Sequence, residues 1–337
     1  MDSIFIQIPA YHDIEIVNTV SSAIYSASSK YCLHFGIHFN YHEFLPEQIE
    51  NIKKLENSFC KIDTHFSKAP INLGMQKSRA IANSFYDGED YYLQIDSHMF
   101  FRQNWDEILV YDIVDMTHRY GNLIAITWLN LNYENSNDPR KHIWPDIGDS
   151  PDSNHPLNMN ECDSFSRITG KLLRPKPKPD CIDDSKTHNF YNAITGAFIF
   201  TSGNYWKLVN GFPDISTGEE MITSVKLITN GYSVVGASTS VVKHLTHHPW
   251  MKSNESFTNQ KTKDYEKMVL EYPRRLARID YPESFYSQDL NFEYACRILV
   301  ENDKHKCIIG NYCSFYDWVE ISNMTLEGHN DDFDGWK

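Results

Sequence analysis

The sequence predicts an α/β fold in which helices cover both faces of a mostly parallel sheet. Short apolar segments that are typical of strands alternate with amphipathic segments of helical period between residues 4 and 128, and this alternation is typical of parallel sheets. Polar residues directly follow several of the predicted strands. Because ligands of such sheets bind beyond the carboxyl ends of the strands, these residues are the first candidates for a functional site.

Apolar periodicity divides the first part of the chain into strands and helices in turn. Strands are predicted over residues 4–8, 33–39, 91–95 and 123–128, and helices over residues 14–27, 46–59, 74–85 and 105–120. Pro9 ends the first strand and Pro46 opens the second helix, both favourable positions for proline. Asp13 is placed to cap the first helix. The loop from Pro9 to Asp13 therefore lies at the carboxyl end of the first predicted strand.

The second part of the chain is more irregular. Residues 130–190 are rich in Asn, Asp, Pro and Ser. We therefore expect a long insertion, which is either a lid that contacts the acceptor substrate of an enzyme or an ordinary surface loop. Regular structure returns in predicted strands over 197–200, 232–235 and 241–245, and in a helix opened by Glu219 and Glu220. We expect residues 1–250 to form one domain and residues 251–337 to form a mainly helical C-terminal extension.

Composition narrows the classes of function. The formal net charge of −14 over 337 residues argues against nucleic acid as a partner, because the chain repels phosphates. Its seven cysteines show no paired framework, which favours a reducing compartment. The sequence shows neither a signal peptide nor an apolar run long enough to span a membrane. We therefore expect a cytoplasmic protein without a membrane span.

The segment Tyr-Tyr-Leu-Gln-Ile-Asp-Ser-His at residues 91–98 is the most informative motif. Side chains at positions i and i+2 of an extended segment point to the same face, so Asp96 and His98 can both reach one divalent cation while Ser97 points away. The alternative is that Asp96 only caps a turn. A metal at this strand end would help an acidic chain to hold an anionic nucleotide.

This motif belongs to a series of segments that together resemble a known family. The segments cover residues 6–13, 79–82, 88–99, 104–106, 195–198, 218–220, 229–232 and 242–245, with Leu-Gln-Ile-Asp-Ser-His-Met as the most specific. They resemble the GT-A fold glycosyltransferases that include cytoplasmic α-N-acetylglucosaminyltransferases acting on hydroxyproline of a ubiquitin-ligase subunit. The first loop departs from the family, with Ala-Tyr-His-Asp in place of Ser-Tyr-Arg-Asp. The region after His244 also lacks the family's arginine pattern.

The resemblance implies a metal-dependent, retaining hexosyltransferase. Its donor would be a UDP-sugar such as UDP-N-acetylglucosamine, and its acceptor a protein or glycan hydroxyl. Asp96, His98 and His244 would bind the cation, for which a mixed carboxylate and imidazole set favours Mn²⁺ over Mg²⁺. His247 and His248 are alternative ligands to His244, which is otherwise a packed or solvent-facing residue.

Donor contacts are expected at the ends of the strands. In the first loop, Asp13 contacts the base or ribose, caps the helix, or does both. Arg79 contacts the diphosphate in bidentate fashion, or forms a surface salt bridge. The complete set expected to bind the donor is Pro9, Ala10, Tyr11, Asp13, Arg79, Gln94, Asp96 and Gly196.

Glu220 and then Glu219 are the candidates for a catalytic carboxylate. Adjacent helical residues point about 100° apart, so the two cannot both face one atom. One carboxylate would accept the proton of the acceptor hydroxyl or bind sugar hydroxyls, whereas the alternative is stabilisation of the helix dipole. A retaining front-face mechanism needs no enzyme nucleophile.

Two other functions fit the same residues. A metal-dependent phosphoesterase would use Asp96, His98 and His244, but such centres often need two ions and further ligands. A non-catalytic carbohydrate-binding or interaction module would keep the fold without turnover. Nucleotide binding that depends on Mn²⁺ separates the transferase from the module.

Overall fold

The computed structural model describes residues 1–41, 45–68, 75–121, 123–127, 131–133, 190–191, 194–205 and 219–245. The predicted C-terminal extension and most of the predicted insertion lie outside the described residues. No helix in the described part is both long and apolar enough to cross a membrane.

Strands and helices alternate from β1 to β4, and several strands then follow one another directly. The strands are β1 (Ser3–Tyr11), β2 (Cys32–Tyr41), β3 (Cys60–Lys68), β4 (Tyr91–Ile95), β5 (Met99–Phe101), β6 (Leu123–Thr127), β7 (Leu131–Tyr133), β8 (Phe190–Tyr191), β9 (Phe198–Ser202), β10 (Tyr232–Gly236) and β11 (Val242–Leu245). The helices are α1 (Ile16–Ser26), α2 (Pro46–Lys53), α3 (Met75–Asn83), α4 (Trp105–Tyr120) and α5 (Glu219–Thr229). Their succession gives an α/β protein.

The main sheet has eight strands in the order β3-β2-β1-β4-β9-β6-β10-β8. β1 pairs in parallel with both β2 and β4, and β6 pairs in parallel with β10. β9 runs antiparallel between β4 and β6, and β8 runs antiparallel at the edge. The predicted α/β class with a mostly parallel sheet is confirmed.

A second, three-stranded sheet has the order β5-β11-β7. β5 follows β4 after a short turn, and β11 pairs with it in antiparallel register. In that register His244 lies opposite Met99. The small sheet thus joins the turn after β4 to a strand from the far end of the described chain.

The core lies around β1, whose residues are buried from Ile4 to Ala10. Burial on both faces is typical of a strand that helices cover on each side. α3 approaches β2 closely at Gly36, where an added Cβ would lie 2.5 Å from the carbonyl oxygen of Ala82. Glycine at this position lets α3 pack directly on the sheet.

Four local predictions are wrong. β1 continues through Pro9 to Tyr11, so Pro9 does not end the strand. α2 ends at Lys53 instead of continuing to residue 59, and β3 begins at Cys60. Only two side chains of β3 are fully buried, so its sequence lacks the apolar pattern of an inner strand. The N-cap of α1 is Glu15, not Asp13, and no side chain caps the helix.

Candidate metal centre

Asp96, Ser97 and His98 form the turn between β4 and β5. They are not on an extended strand, so the predicted i, i+2 geometry does not explain their proximity. Thr19 of α1 holds the turn instead: its hydroxyl donates to the Ser97 carbonyl at 2.8 Å and accepts from the Met99 N–H at 2.9 Å. The turn is therefore fixed by the helix that follows β1.

Pairing between β5 and β11 brings His244 to this turn. The Leu245 N–H donates to the carbonyl of His98 at 3.1 Å, next to the register pair of His244 and Met99. His98 and His244, 146 positions apart in sequence, then face each other with 3.0 Å between their Nε2 atoms. Two imidazole nitrogens at this distance share one proton or one cation between them.

Asp96 completes a three-residue cluster. Its Oδ2 lies 3.5 Å from His244 Nε2 and 4.0 Å from His98 Nε2, and one donor atom from each residue lies within 4.8 Å of the others. The side chains of Asp96, His98 and His244 are 18, 14 and 19% exposed. The donors are thus largely shielded and still reachable from solvent.

The electrostatics of the cluster favour a cation. Burial alone would raise the pKa of Asp96, but the hydrogen bond from His244 and the positive charges of Arg79 and His98 hold it well below its usual range. Burial alone would lower the pKa of His98, but its hydrogen bond to Asp13 and the charge of Asp96 raise it. A site that stabilises positive charge on a histidine also attracts a metal cation.

Asp13 contacts the cluster directly. Its Oδ2 accepts hydrogen bonds from His98 Nδ1 and from the Ser97 hydroxyl, both at 2.6 Å. Its Oδ1 accepts from the N–H of Glu15 at 2.8 Å, and the residue is 4% exposed. The first loop therefore meets the turn after β4, as expected for two neighbouring parallel strands.

Arg79 lies behind Asp96 and is 1% exposed. Its Nη2 donates to Asp96 Oδ1 at 3.2 Å and to the Gly196 carbonyl at 2.9 Å, and its Nη1 donates to the side-chain oxygen of Gln7 at 3.0 Å. The alternative of a surface salt bridge is therefore wrong. Because Arg79 engages Oδ1, the other oxygen of Asp96 is left facing the two histidines.

The other predicted donor contacts surround this network. The amide of Gln94 also donates to the Gly196 carbonyl, at 2.8 Å. Pro9 and Ala10 are buried at the end of β1, and Tyr11 is half-buried. Burial raises the pKa of Tyr11 to about 12, so its hydroxyl keeps its proton even in alkaline solution, where an exposed tyrosine ionises.

Two predicted residues lie at the start of α5. The helix begins at Glu219, followed by Glu220, which confirms that these residues open a helix. The described structure gives their backbone alone, so their roles stay predictions. The alternative ligands His247 and His248 lie outside the described residues.

Sequence reasoning missed the residues that support the ligands. Ser97 and Thr19 hold the turn, and Tyr41 donates to the carbonyl oxygen of Asp13 at 2.7 Å. The ring of Tyr41 also stacks on His12 at 5.2 Å. No sequence pattern signals these contacts, because each joins elements that are far apart along the chain.

The three donors fit a divalent transition metal. One carboxylate oxygen and two imidazole nitrogens form a set that suits Mn²⁺ better than Mg²⁺. The hydrogen bond from His98 Nδ1 to Asp13 and the one from Arg79 to Asp96 also match metal sites. In such sites the second nitrogen of a ligand histidine and the ligand carboxylate are usually hydrogen-bonded. Among the described residues, this is the one group of three or more potential ligands close enough to hold an ion.

Comparison with known proteins gives one family match. The family model described as Glycosyltransferase (GlcNAc) matches residues 51–142, which is less than half of the chain. This region contains Arg79, Asp96 and His98, but neither Asp13 nor His244. No curated protein sequence matches the chain.

Several solved structures are similar in fold. GalNAc-T7 with UDP, GalNAc and Mn²⁺ has a TM-score of 0.49 at 16% identity, over 90% of this chain and 58% of the other. S. aureus TarS 1–349 with UDP-GlcNAc has a TM-score of 0.45 at 11% identity, over 90% and 74%. Mannosyltransferase PcManGT from Pyrobaculum calidifontis, with GDP-Man and Mn²⁺, has a TM-score of 0.45 at 9% identity, over 90% and 75%. The chain thus spans little more than half of the length of the GalNAc-T7 chain.

Proposed function

We propose that this protein is a metal-dependent glycosyltransferase of the GT-A fold. It transfers N-acetylglucosamine, or a related hexose, from a UDP-sugar to a hydroxyl of a protein or glycan, with retention of anomeric configuration. The observation that carries the proposal is the cluster of Asp96, His98 and His244 at the carboxyl end of β4. The partial match to a glycosyltransferase family model supports it.

The position of the metal cluster supports a nucleotide-sugar as the substrate. Ligands of parallel sheets bind at the carboxyl ends of the strands, and the cluster lies there beside the loop after β1. An acidic chain with a net charge of −14 needs a local cation to hold a diphosphate. When bound, a divalent cation would act as Lewis acid for the departing diphosphate.

The residues of the chain have distinct proposed roles. Asp96, His98 and His244 hold the cation, and Arg79, by bonding Oδ1 of Asp96, keeps Oδ2 turned towards the two histidines. The end of β1 at Pro9, Ala10 and Tyr11 contacts the nucleoside, Asp13 in the loop that follows supports His98, and Gln94 and Gly196 line the site beside the diphosphate. Glu220, with Glu219 as the second candidate, binds sugar hydroxyls or accepts the proton of the acceptor hydroxyl.

Calorimetry of UDP binding tests this proposal. We expect UDP to bind in Mn²⁺ buffer, and binding to be lost with EDTA or in Asp96→Ala. We also expect slow hydrolysis of UDP-N-acetylglucosamine that needs Mn²⁺. Asp115→Ala is the matched control, because this aspartate pairs with Arg119 on α4 and lies outside the cluster.

The outcomes separate the transferase from its rivals. Full UDP binding and hydrolysis in Asp96→Ala would contradict the metal assignment. Hydrolysis of simple phosphate esters without any sugar release would favour the phosphoesterase, and nucleotide-independent glycan binding would favour the non-catalytic module.

A further inference from the structure

We propose that Asp13 is a positioning residue for the metal ligand His98, an inference that rests on the proposed function. The sequence alone suggests a nucleotide contact or a helix cap for this residue. The structure gives its carboxylate different neighbours, and each of them belongs to the metal-binding turn or to the start of α1.

Asp13 determines which nitrogen of His98 is available. An ionised carboxylate can only accept hydrogen bonds, so the 2.6 Å contact between Asp13 Oδ2 and His98 Nδ1 places a proton on Nδ1. In a neutral imidazole the lone pair then resides on Nε2. Nε2 is the atom that faces His244 and Asp96, so the tautomer required for metal binding is preset.

Asp13 is itself held firmly. Its carbonyl oxygen accepts hydrogen bonds from the Tyr41 hydroxyl at 2.7 Å and from the Gln48 amide at 2.9 Å. His12, just before it, has a φ of 49°, a left-handed conformation that is uncommon for a residue with a side chain. The chain thus turns sharply after β1, and contacts from β2 and α2 fix Asp13 beside His98.

Asp13→Asn tests the inference most selectively. In Asp13 one carboxylate oxygen accepts from His98 and the other accepts from the Glu15 N–H. An asparagine has a single oxygen, so its NH₂ group must face one of these two donors. We expect Mn²⁺ affinity, measured by electron paramagnetic resonance of the free ion with no nucleotide present, to fall by about 10–100-fold.

Asp106→Asn is the matched control. Asp106 is likewise a fully buried aspartate, and its carboxylate accepts from the backbone and hydroxyl of Ser28. None of these hydrogen bonds involves Asp96, His98 or His244. We expect this variant to bind Mn²⁺ within about twofold of the unmodified protein, as for a site independent of the cluster.

A measurement on the unmodified protein covers the case in which Asp13→Asn does not fold. Nitrogen-15 NMR of the metal-free full chain at alkaline pH should show the His98 proton on Nδ1. A proton on Nε2 would overturn the inference, because that tautomer directs no lone pair towards Asp96 and His244.

The results distinguish this inference from the proposed function. Unmodified protein that does not bind Mn²⁺ would refute the metal-dependent function itself. If the unmodified protein binds Mn²⁺ and Asp13→Asn binds it equally well, the positioning role alone is refuted. Unchanged Mn²⁺ affinity with weaker UDP binding would likewise refute it, in favour of a direct nucleotide contact.

Discussion

His98 and His34 both lie among carboxylates, but at opposite ends of the parallel strands. His98, after β4, binds Asp13 through Nδ1 and directs Nε2 towards Asp96 and His244. His34, near the start of β2, binds Glu89 through Nδ1 and Asp63 through Nε2, the latter at 2.9 Å. Both nitrogens of His34 are thus occupied by carboxylates, whereas one nitrogen of His98 faces other potential ligands.

The difference separates a structural cluster from a binding site. The carboxylates of Glu89 and Asp63 lie on opposite sides of the His34 ring, so they cannot share one ion with it. Burial alone would raise the pKa of Glu89, but the hydrogen bond from His34 lowers it. This pairing stabilises the fold, whereas the convergent donors around His98 can hold a ligand.

Replacing His34 should give the largest effect, on stability and not on metal binding. His34→Ala removes the histidine that pairs with the buried carboxylate of Glu89 and leaves only backbone donors such as the Asp87 N–H, so we expect a loss of about 3–5 kcal/mol of unfolding free energy in urea. Mn²⁺ affinity should be unchanged. A stable variant with weakened Mn²⁺ binding would remove the distinction between the two histidines.

His244→Ala should give the opposite result. Loss of a supporting contact in a metal site costs about 10–100-fold in affinity, so loss of a ligand should cost more than about 100-fold. Free-ion electron paramagnetic resonance measures the change, and His118→Ala on the exposed side of α4 is the control. Equal Mn²⁺ affinity in the two variants would exclude His244 as a ligand.

His38 extends the comparison to a histidine whose hydrogen-bond partners among the described residues are hydroxyl groups. Its nitrogens contact the hydroxyls of Ser78 and Ser67, and burial, with a smaller effect of the His65 charge, lowers its pKa from 6.5 to about 4. The unfolded chain then binds protons more readily than the folded one at acid pH. Stability contributed by neutral His38 is therefore full above pH 6.5 and decreases as pH falls towards 4.

Urea unfolding at two pH values measures this effect. We expect His38 to account for about 2 kcal/mol of lost stability between pH 8 and pH 5, a loss that His38→Gln should lack. His118→Gln is the control, since that side chain is exposed on α4 and takes no part in the contacts of His38. The same pH dependence in the unmodified protein and His38→Gln would contradict the assignment.

Arg79→Lys should give the smallest effect of the series. Lysine keeps the charge but lacks the planar fork that bonds Asp96, Gly196 and Gln7 at once. We expect Mn²⁺ affinity to fall by about tenfold. Arg119→Lys, at a simple i, i+4 pair on α4, should leave it unchanged, and an equal loss in both variants would refute a specific role for Arg79.

The hydrophobic pattern of the sequence predicted the helices and strands whose apolar residues recur regularly. It failed for strands that form because they pair with a distant strand. β4 and α4 have the predicted bounds because their apolar residues are regular. β5 has three residues and exists through its pairing with β11, a contact that no local pattern encodes. β3, at the edge of the sheet, carries too many polar residues to be recognised as a strand.

The same distinction applies to the site. Asp96, His98 and His244 were identifiable as residue types that bind metals, at strand ends and within a recognisable series of segments. The position of Asp13 was not, because it depends on the left-handed turn at His12 and on contacts with Tyr41 and Gln48. Short-range sequence thus indicates which groups can bind an ion, and tertiary contacts determine how they are held.

The most direct test of the account is anomalous X-ray diffraction at the manganese edge, on crystals of the full chain grown with MnCl₂ and UDP. We predict one anomalous peak within roughly 2.5 Å of Asp96 Oδ2, His98 Nε2 and His244 Nε2, with none beside His34. A peak at His34, or UDP bound with no manganese at the cluster, would contradict the account.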